Sequence, residues 1–342
     1  MATVSVSLLP LRIVLPGGSG QVGQMLARRL QERGHYVTVL TRGPYTAPWH
    51  TVHWDGLTRG PWVETLEGAD VVINLAGRSV NCRYNEENRR AIYDSRIGTT
   101  RLLGHVLAEL EEPPRVWLNA STATIYRHST DRAMDEATGE LGGNEWISAW
   151  RRAPETWNFS TGVARAWEGA LFESQTPRTR KVALRSGMVM SPLPGGAFAT
   201  LLNLVRASLG GSQGNGRQYV SWMHEADFAR AVEFLIAHEE IDGPVNLSAP
   251  YPLPNREFML ALREAWGMPN GLPVPAPLLA LGALLLRTET ELVLKSRCVV
   301  PGRLLDAGFA FRYPEWTQAA EDLCARWRRR HDATGEKPLT SA

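Results

Sequence analysis

The feature that most restricts what this chain can fold into is a glycine-rich turn, Pro16-Gly17-Gly18-Ser19-Gly20-Gln21-Val22-Gly23. The run before it, Leu11-Arg-Ile-Val-Leu-Pro16, is short and apolar and suits a buried strand. After it, Val22, Met25, Leu26 and Leu30 recur at helical spacing between Gln21 and Arg33. Gly34 closes that helix, and Tyr36-Val-Thr-Val-Leu40 reads as a second strand. Glycine at Gly17-x-x-Gly20-x-x-Gly23 lets the turn tighten, lets backbone approach a pyrophosphate, and lets the helix pack close to the strand. The first N–H groups of the helix then face the phosphates. Because the pattern sits between a strand and a helix, the chain is expected to bind a dinucleotide through Gly17, Gly20, Gln21, Val22 and Gly23.

The end of the second strand chooses the dinucleotide. An acidic residue there bonds a ribose 2′-hydroxyl; this chain has Thr41-Arg42. A hydroxyl and a guanidinium fork suit a 2′-phosphate, so NADP(H) is expected over NAD(H). Asp55, in Trp54-Asp55-Gly56, is either an acceptor for the adenine amine or a turn cap. Leu75-Ala76-Gly77 ends a further strand, Val71–Leu75, where small residues let backbone pass over a cofactor. A long helix is expected over about Asn85–Glu111, its inner stripe running from Ile92, Ser95 and Thr99 to Leu103, Val106 and Leu110. Polar early positions and apolar late ones suit a helix that starts beside a polar ligand and ends in the core. Arg96 is either a cofactor contact or half of a surface ion pair.

Further strands are expected at Val116–Asn119 and Val182–Arg185, with a helix at about Phe159–Phe172. Strands alternating with helices make the fold class α/β, a Rossmann-type doubly wound parallel sheet with a smaller mixed C-terminal lobe. The expected division is 11–190 for the dinucleotide-binding domain and 191–335 for the substrate lobe. Within the first, 127–157 is a long, polar, tryptophan-bearing segment expected to cover the pocket. Its Asp135 and Glu136 are read as solvated.

Lys plus Arg total 37 and Asp plus Glu 35, a net charge of +2 that asks for neither nucleic acid nor an anionic membrane. The basic run Arg326, Arg328, Arg329 and Arg330 reads as a solvated helix end. Three scattered cysteines, Cys82, Cys298 and Cys324, form no disulfide framework, and a reducing cytoplasm fits them. The first eleven residues lack the charged and long apolar regions of a signal peptide. The most apolar stretch, Pro277–Leu286, is about half of the ~20 residues that a membrane span needs and is read as a core helix. His50-x-x-His53 has no Cys, Asp or Glu at ligand spacing, so no metal site is expected. The twelve tryptophans are either ordinary packing or, between Trp146 and Trp167, a pocket wall or interface.

The chain resembles the extended short-chain dehydrogenase/reductase superfamily in Gly17-x-x-Gly20-x-x-Gly23, Asn74-Leu-Ala-Gly77, Ser95-Arg-Ile-Gly-Thr99, Ser121-Thr-Ala-Thr-Ile-Tyr126 and Leu184-Arg-Ser-Gly-Met-Val189. More narrowly it resembles the atypical epimerase/dehydratase-like branch that carries a C-terminal domain of unknown function, here about 270–330. That match rests on Asp94-Ser-Arg-Ile97, Trp167-Glu168, Gly214-x-Gly216-x-Gln218-x-x-x-Trp222-x-His224, Asp227 and Pro301-x-x-Leu304-x-x-x-Gly308-Phe309-x-Phe311. The resemblance implies an NADP site lined by Thr41, Arg42, Leu75, Ala76, Arg96 and the backbone near Met188.

The superfamily's chemistry uses a Ser or Thr and a Tyr-x-x-x-Lys, the lysine helping the phenol pass a proton. Thr122 falls at the first position. The tyrosine position holds Ser160 and the lysine position Ala164, and neither does that work. Tyr126 is a candidate substitute at the pocket floor or else a core aromatic. His224 is expected to cap or pack, and Asp227 to sit at a helix start. Arg217, Gln218 and Trp222 are candidate substrate contacts, mostly on resemblance. The sequence therefore points to an NADP(H)-dependent oxidoreductase or epimerase-like protein acting on a small molecule it does not identify, a monomer or homodimer. A non-catalytic NADP(H)-binding sensor or interaction protein is the alternative, and an epimerase of ordinary mechanism is disfavoured by the missing pair.

Overall fold

A seven-stranded sheet, entirely parallel in its pairings, organises the molecule in the order β12-β8-β5-β4-β1-β2-β3. The computed structural model describes residues 10–143, 146–148, 151–285 and 289–334. In chain order the first elements are β1 (Arg12–Pro16), α1 (Gln21–Glu32), β2 (Tyr36–Thr41), β3 (His50–His53), β4 (Val71–Asn74) and α2 (Glu86–Tyr93). They are followed by α3 (Thr99–Glu109), β5 (Val116–Thr122), the short β6 (Trp146–Ser148) and β7 (Arg151–Arg152), α4 (Glu155–Phe172), β8 (Arg180–Ser186) and β9 (Met188–Met190). Then come α5 (Ala197–Arg206), β10 (Tyr219–Val220), β11 (Trp222–His224), α6 (Glu225–Ala237), β12 (Gly243–Leu247) and β13 (Leu253–Pro254). The chain closes with α7 (Asn255–Trp266), α8 (Ala276–Leu285), α9 (Glu291–Leu294), α10 (Gly302–Asp306) and α11 (Trp316–Thr334).

Strand alternation sorts the core. Ile13, Leu15, Val37, Val39, Ile73, Leu118 and Val245 face one side, where they meet Leu26 and Leu30 of α1 and Phe228 and Val232 of α6. Val14, Leu40, Val72, Trp117 and Ala183 face the other side, against Leu103, Val106 and Leu107 of α3 and Leu171 of α4. Apolar residues on both faces are what a sheet covered on both sides requires.

The sequence places the second lobe's start at 191, but the sheet takes its outer strand, β12, and a covering helix, α6, from beyond it. Short strands cannot be assigned to a sheet from the sequence, because pairing is a long-range property. The lobe that stands apart is α5, α7 and α11, packed around Trp222, Phe258 and Trp316. Trp316 stacks on Phe258 with ring centroids 4.0 Å apart and donates its Nε1 hydrogen to the Phe258 carbonyl at 2.8 Å.

Four further expectations are corrected. The long helix is interrupted by a π turn, Asp94–Gly98, between α2 and α3. Residues 277–285 of the apolar stretch lie in α8, where Leu278 and Leu281 are more than half exposed instead of core; Leu286 lies outside the described residues. The described residues of 127–143 do not cover a pocket. They pack on 296–303, with Met134 donating its N–H to the Cys298 carbonyl at 2.7 Å and accepting from Val300 N–H at 3.0 Å. Glu136 there is not solvated: its carboxylate accepts from the backbone N–H of Asn246 at 2.7 Å and of Arg303 at 3.2 Å.

Candidate functional site

Strand order reverses between β1 and β4, and a crevice at such a point, beyond the carboxyl ends of the strands, is where sheets of this kind hold ligands. Gly17 stands there with φ +74°, and a Cβ on it would lie 2.6 Å from the Ala76 Cα. Gly23 passes Gly18 so closely that a Cβ would meet the Gly18 carbonyl oxygen at 2.4 Å. Gly20 differs: a Cβ would find only the Gly17 carbonyl oxygen, at 3.8 Å, and no side chain caps the start of α1. The turn thus leaves open space over the uncapped helix N-terminus, which fits a pyrophosphate.

Around this turn, Gln21 donates through Nε2 to the Leu193 carbonyl at 2.9 Å, and Val22 is half-buried beside it. Thr41, buried at the end of β2, donates to Ser19 Oγ at 3.1 Å, and Arg42 is exposed next to it. Asp55 takes the turn-capping alternative. Its carboxylate accepts from Leu57 N–H and Thr58 N–H and hydroxyl, and these bonds pull its pKa down to about 2. Leu75 is half-buried and Ala76 buried, with Ala76 N–H held by Asn74 Oδ1 at 3.1 Å.

The π turn brings Ser95 and Arg96 to the same crevice. Ser95 Oγ accepts from Arg78 N–H at 2.9 Å. Arg96 lies across Gly77, where a Cβ would sit 3.2 Å from its guanidinium carbon. It donates to the Ile92 carbonyl at 3.2 Å and stacks over Trp167 at 5.2 Å. No carboxylate among the described residues pairs with it, so the surface ion-pair alternative does not hold, and burial draws its pKa down to about 10. Met188, in β9, spends its N–H on the Ser221 carbonyl.

Two adjoining cavities, of about 450 and 220 Å³, share Val80, Thr122, Thr124, Leu292 and Arg297 in their walls. The larger runs from Thr122 past Ser186 and Met188 to Phe258, and the smaller is walled by Arg96, Ser160, Ala164 and Glu291. A wider cleft of about 820 Å³ opens at the opposite edge of the sheet. Its Arg178, Arg180 and Lys181 spend their donors on backbone carbonyls at helix ends, a structural use.

Thr122 accepts from Thr124 N–H at 3.1 Å, leaving its own hydrogen to donate. Tyr126 is removed from candidacy. It is a core aromatic with 1% exposure, donating to Asn246 Oδ1 at 2.9 Å and accepting from Arg185 Nη1 at 2.8 Å. Arg185 in turn forms a two-pronged ion pair with Glu168, at 2.8 and 2.7 Å, and Ser121 donates to the same carboxylate. The substrate candidates fare likewise. Arg217 is exposed, Gln218 is buried and bonded to the carbonyls of Gln213 and Val293, and Trp222 is fully buried against Trp316; none lines either cavity. His224 caps α6 through Nδ1 and holds Asp322 through Nε2 at 3.1 Å. Asp227 sits in the first turn of α6 as expected, and also accepts from Arg312 and Tyr313 N–H. His50 and His53 lie in β3, three residues apart and so on opposite faces, and no metal-holding cluster is found among the described residues.

The charged wall of the smaller cavity escaped sequence reasoning. Glu291, at 1% exposure, accepts from Ser160 Oγ at 2.5 Å on Oε2, and burial raises its pKa. Arg297 lies 3.8 Å from Glu291 Oε1 and donates to Thr124 Oγ1 at 3.0 Å. Buried Lys295 donates to the Thr124 carbonyl and Thr161 Oγ1. Tyr84 is buried in the wall of the same cavity, and its pKa is pushed up to about 12 by burial and by Glu291. The one available signal was five charged residues, Arg287, Glu289, Glu291, Lys295 and Arg297, closing an otherwise apolar stretch.

A glycine cradle at the switch point of a parallel sheet, with a cavity at its strand ends, defines a dinucleotide-binding protein of the short-chain dehydrogenase/reductase fold. Residues 13–146 match the NAD dependent epimerase/dehydratase family, and 274–323 match a domain of unknown function, DUF1731. The chain is 31% identical over 325 residues to mouse epimerase family protein SDR39U1, covering 92% of this chain and 100% of that one. It is 30% identical to an epimerase family protein of Staphylococcus epidermidis, covering 91% and 98%. The crystal structure of human epimerase family protein SDR39U1 (isoform 2) with NADPH superposes with TM-score 0.78 at 28% identity, covering 92% of this chain and 99% of that one. A UDP-N-acetylglucosamine 4-epimerase from Bacillus cereus, 17% identical with TM-score 0.70 over 96% and 99%, shares the fold. The chain belongs to the epimerase family proteins, with an epimerase/dehydratase domain followed by DUF1731. No helix among the described residues is long and apolar enough to cross a membrane.

Proposed function

We propose that this protein is an NADP(H)-dependent oxidoreductase of the atypical short-chain dehydrogenase/reductase type, acting in the cytoplasm on a small molecule with a carbonyl or hydroxyl group. The observation that carries the reading is the continuity of the site: the cavity walled by Thr122 and Arg96 reaches through Arg96 to Gly77, and Ala76 beside it packs on Gly17 of a turn with open space over its helix N-terminus. The human relative's NADPH complex supports the choice of coenzyme. The backbone of Gly17, Gly20, Gln21, Val22 and Gly23 would hold the pyrophosphate. Thr41 and Arg42 would read the 2′-phosphate, with Leu75, Ala76, Gly77, Ser95, Arg96 and Met188 along the rest. Bound coenzyme supplies or accepts the hydride. Thr122 orients the reacting oxygen, and the apolar wall of Val220 and Phe258 excludes water.

Side-by-side titration with NADPH and NADH, followed by the protein's own tryptophan fluorescence, tests the coenzyme. We expect a preference for NADPH of tenfold or more that Arg42→Ala abolishes, each tenfold being about 1.4 kcal/mol. Equal affinities would remove Arg42 from the site. A second reading, a non-catalytic NADP(H) sensor, is favoured by Ala164, which puts a methyl where the superfamily has its ammonium. It predicts that no carbonyl compound oxidises bound NADPH.

A further inference from the structure

The smaller cavity contains a buried polar chain that begins where the superfamily keeps its tyrosine. Ser160 Oγ, half-buried in the cavity wall, donates to Glu291 Oε2 at 2.5 Å, and Tyr84 lines the same cavity. Glu291 comes from α9, in the DUF1731 region, and lies behind Ser160. Its other oxygen, Oε1, is buried without a hydrogen bond among the described residues, the Arg297 guanidinium lying 3.8 Å away. A buried carboxyl with one oxygen unbonded is an unfavourable arrangement for structure alone, since an unsatisfied buried acceptor costs on the order of 1–3 kcal/mol.

We propose that Ser160 and Glu291 together replace the missing Tyr–Lys pair, Ser160 exchanging a proton with the substrate oxygen and Glu291 acting as the reservoir behind it. The proposal rests on the oxidoreductase reading above. In the reducing direction the substrate C=O π bond breaks. Its carbon gains the two-electron hydride that NADPH brings, and its oxygen gains the Ser160 Oγ proton. For this step Glu291 holds its proton on Oε2 and Ser160 Oγ accepts it across the 2.5 Å contact, its own hydrogen turned to the substrate. Ser160 takes that proton as it gives up its own, leaving a carboxylate that solvent reprotonates as product leaves. Oxidation of an alcohol runs the same steps backwards. Ser160 is then the catalytic residue, and Glu291 a positioning and proton-holding residue.

The groups facing Glu291 set its proton affinity. Burial, the largest influence, and Glu289 favour the acid, while Arg297, the Ser160 hydrogen bond and Lys295 favour the carboxylate. The net direction is upward, toward a carboxyl that still holds a proton where an ordinary glutamate has lost it.

Two measurements test this in wild type, Glu291→Gln, Glu291→Asp and Ser160→Ala. Carbon-13 NMR of protein labelled at glutamate carboxyls and saturated with NADP+, with Glu291→Gln assigning the resonance, should show Glu291 titrating above the usual glutamate range. Its midpoint should move in Ser160→Ala. A midpoint in the ordinary range overturns the relay without reference to turnover. NADPH oxidation with a panel of aldehydes and ketones should then fall about 100-fold in kcat in Glu291→Gln, the lower end of what general acid catalysis contributes. NADPH affinity should stay within about twofold, the fall in rate on the alkaline side that Glu291 ionisation causes should disappear from the pH profile, and Glu291→Asp should recover part of the rate. A reactive wild type beside an equally reactive Glu291→Gln overturns the relay alone. A panel that leaves NADPH untouched in every variant overturns the oxidoreductase reading and the relay with it.

Discussion

At the scale of single residues, the site is built from contacts that tolerate no added atom and from buried charges that tolerate no lost partner. Gly17 combines a left-handed φ with a 2.6 Å approach of any Cβ to the Ala76 backbone. Gly17→Ala should therefore cost on the order of 1–3 kcal/mol in urea unfolding and weaken NADPH binding as well, because relief of the clash must separate β1 from the residues after β4. The Arg185–Glu168 pair is nearly solvent-free, with side-chain exposures of 7% and 9%. Removing one member strands the other charge, so Glu168→Ala should destabilise by about 3–5 kcal/mol by the same measurement. A loss below 1 kcal/mol would show that water reaches this network.

At the scale of elements, two segments do other work than their composition suggests. The π turn at Asp94–Gly98 inserts an extra residue into what periodicity reads as one helix, and so aims Arg96 across Gly77. The segment from Arg127 is tied to the residues after α9, and His128 is one of the ties. Its Nδ1 accepts from Ser296 N–H at 3.0 Å and its ring stacks on Trp157. Burial and the nearby cations Lys295, Arg127 and Arg297 press its pKa from 6.5 down to about 4. Since the folded value is the lower one, the unfolded chain takes up the proton first. The stability that neutral His128 contributes is intact above pH 6.5 and declines as pH falls from there toward 4. Denaturant midpoints measured across that window should fall less steeply in His128→Asn than in the wild type, because the amide oxygen keeps an acceptor without the charge. Parallel slopes would mean that the imidazole is not buried in solution.

At the scale of the whole molecule, the two lobes are not separable pieces. β12 completes the sheet from beyond α5, and α6 covers one face of it. α11 packs against α7, with Trp316 over Phe258 and against Trp222. A fragment ending at residue 190 should lack cooperative thermal unfolding, since β8 becomes an unpaired edge and the α6 side of the sheet lies bare. A chain ending at residue 310 should be insoluble or bind an apolar dye, because it uncovers Trp222 and Phe258. A cooperative transition in the 190-residue fragment would show that the dinucleotide-binding half folds alone.

The sequence by itself determined the parallel α/β class, the glycine cradle, the positions of Thr41 and Arg42 beside it, and the absence of the tyrosine and lysine. The first three follow from local spacing: hydrophobic period, turn chemistry and the fixed offset between a strand, its turn and its helix; the last follows from the family resemblance. Only the tertiary structure decided which tyrosine is core and which lines the cavity, Tyr126 or Tyr84. It also left Arg217, Gln218 and Trp222 out of the cavity walls and carried Glu291 and Arg297 into them, with Lys295 bonded to Thr124 and Thr161 behind, from more than a hundred residues beyond Ser160. The reason is physical. A side chain's surroundings depend on which segments pack together, and the burial that raises the pKa of Glu291 is a property of that packing, which no local pattern of residues encodes.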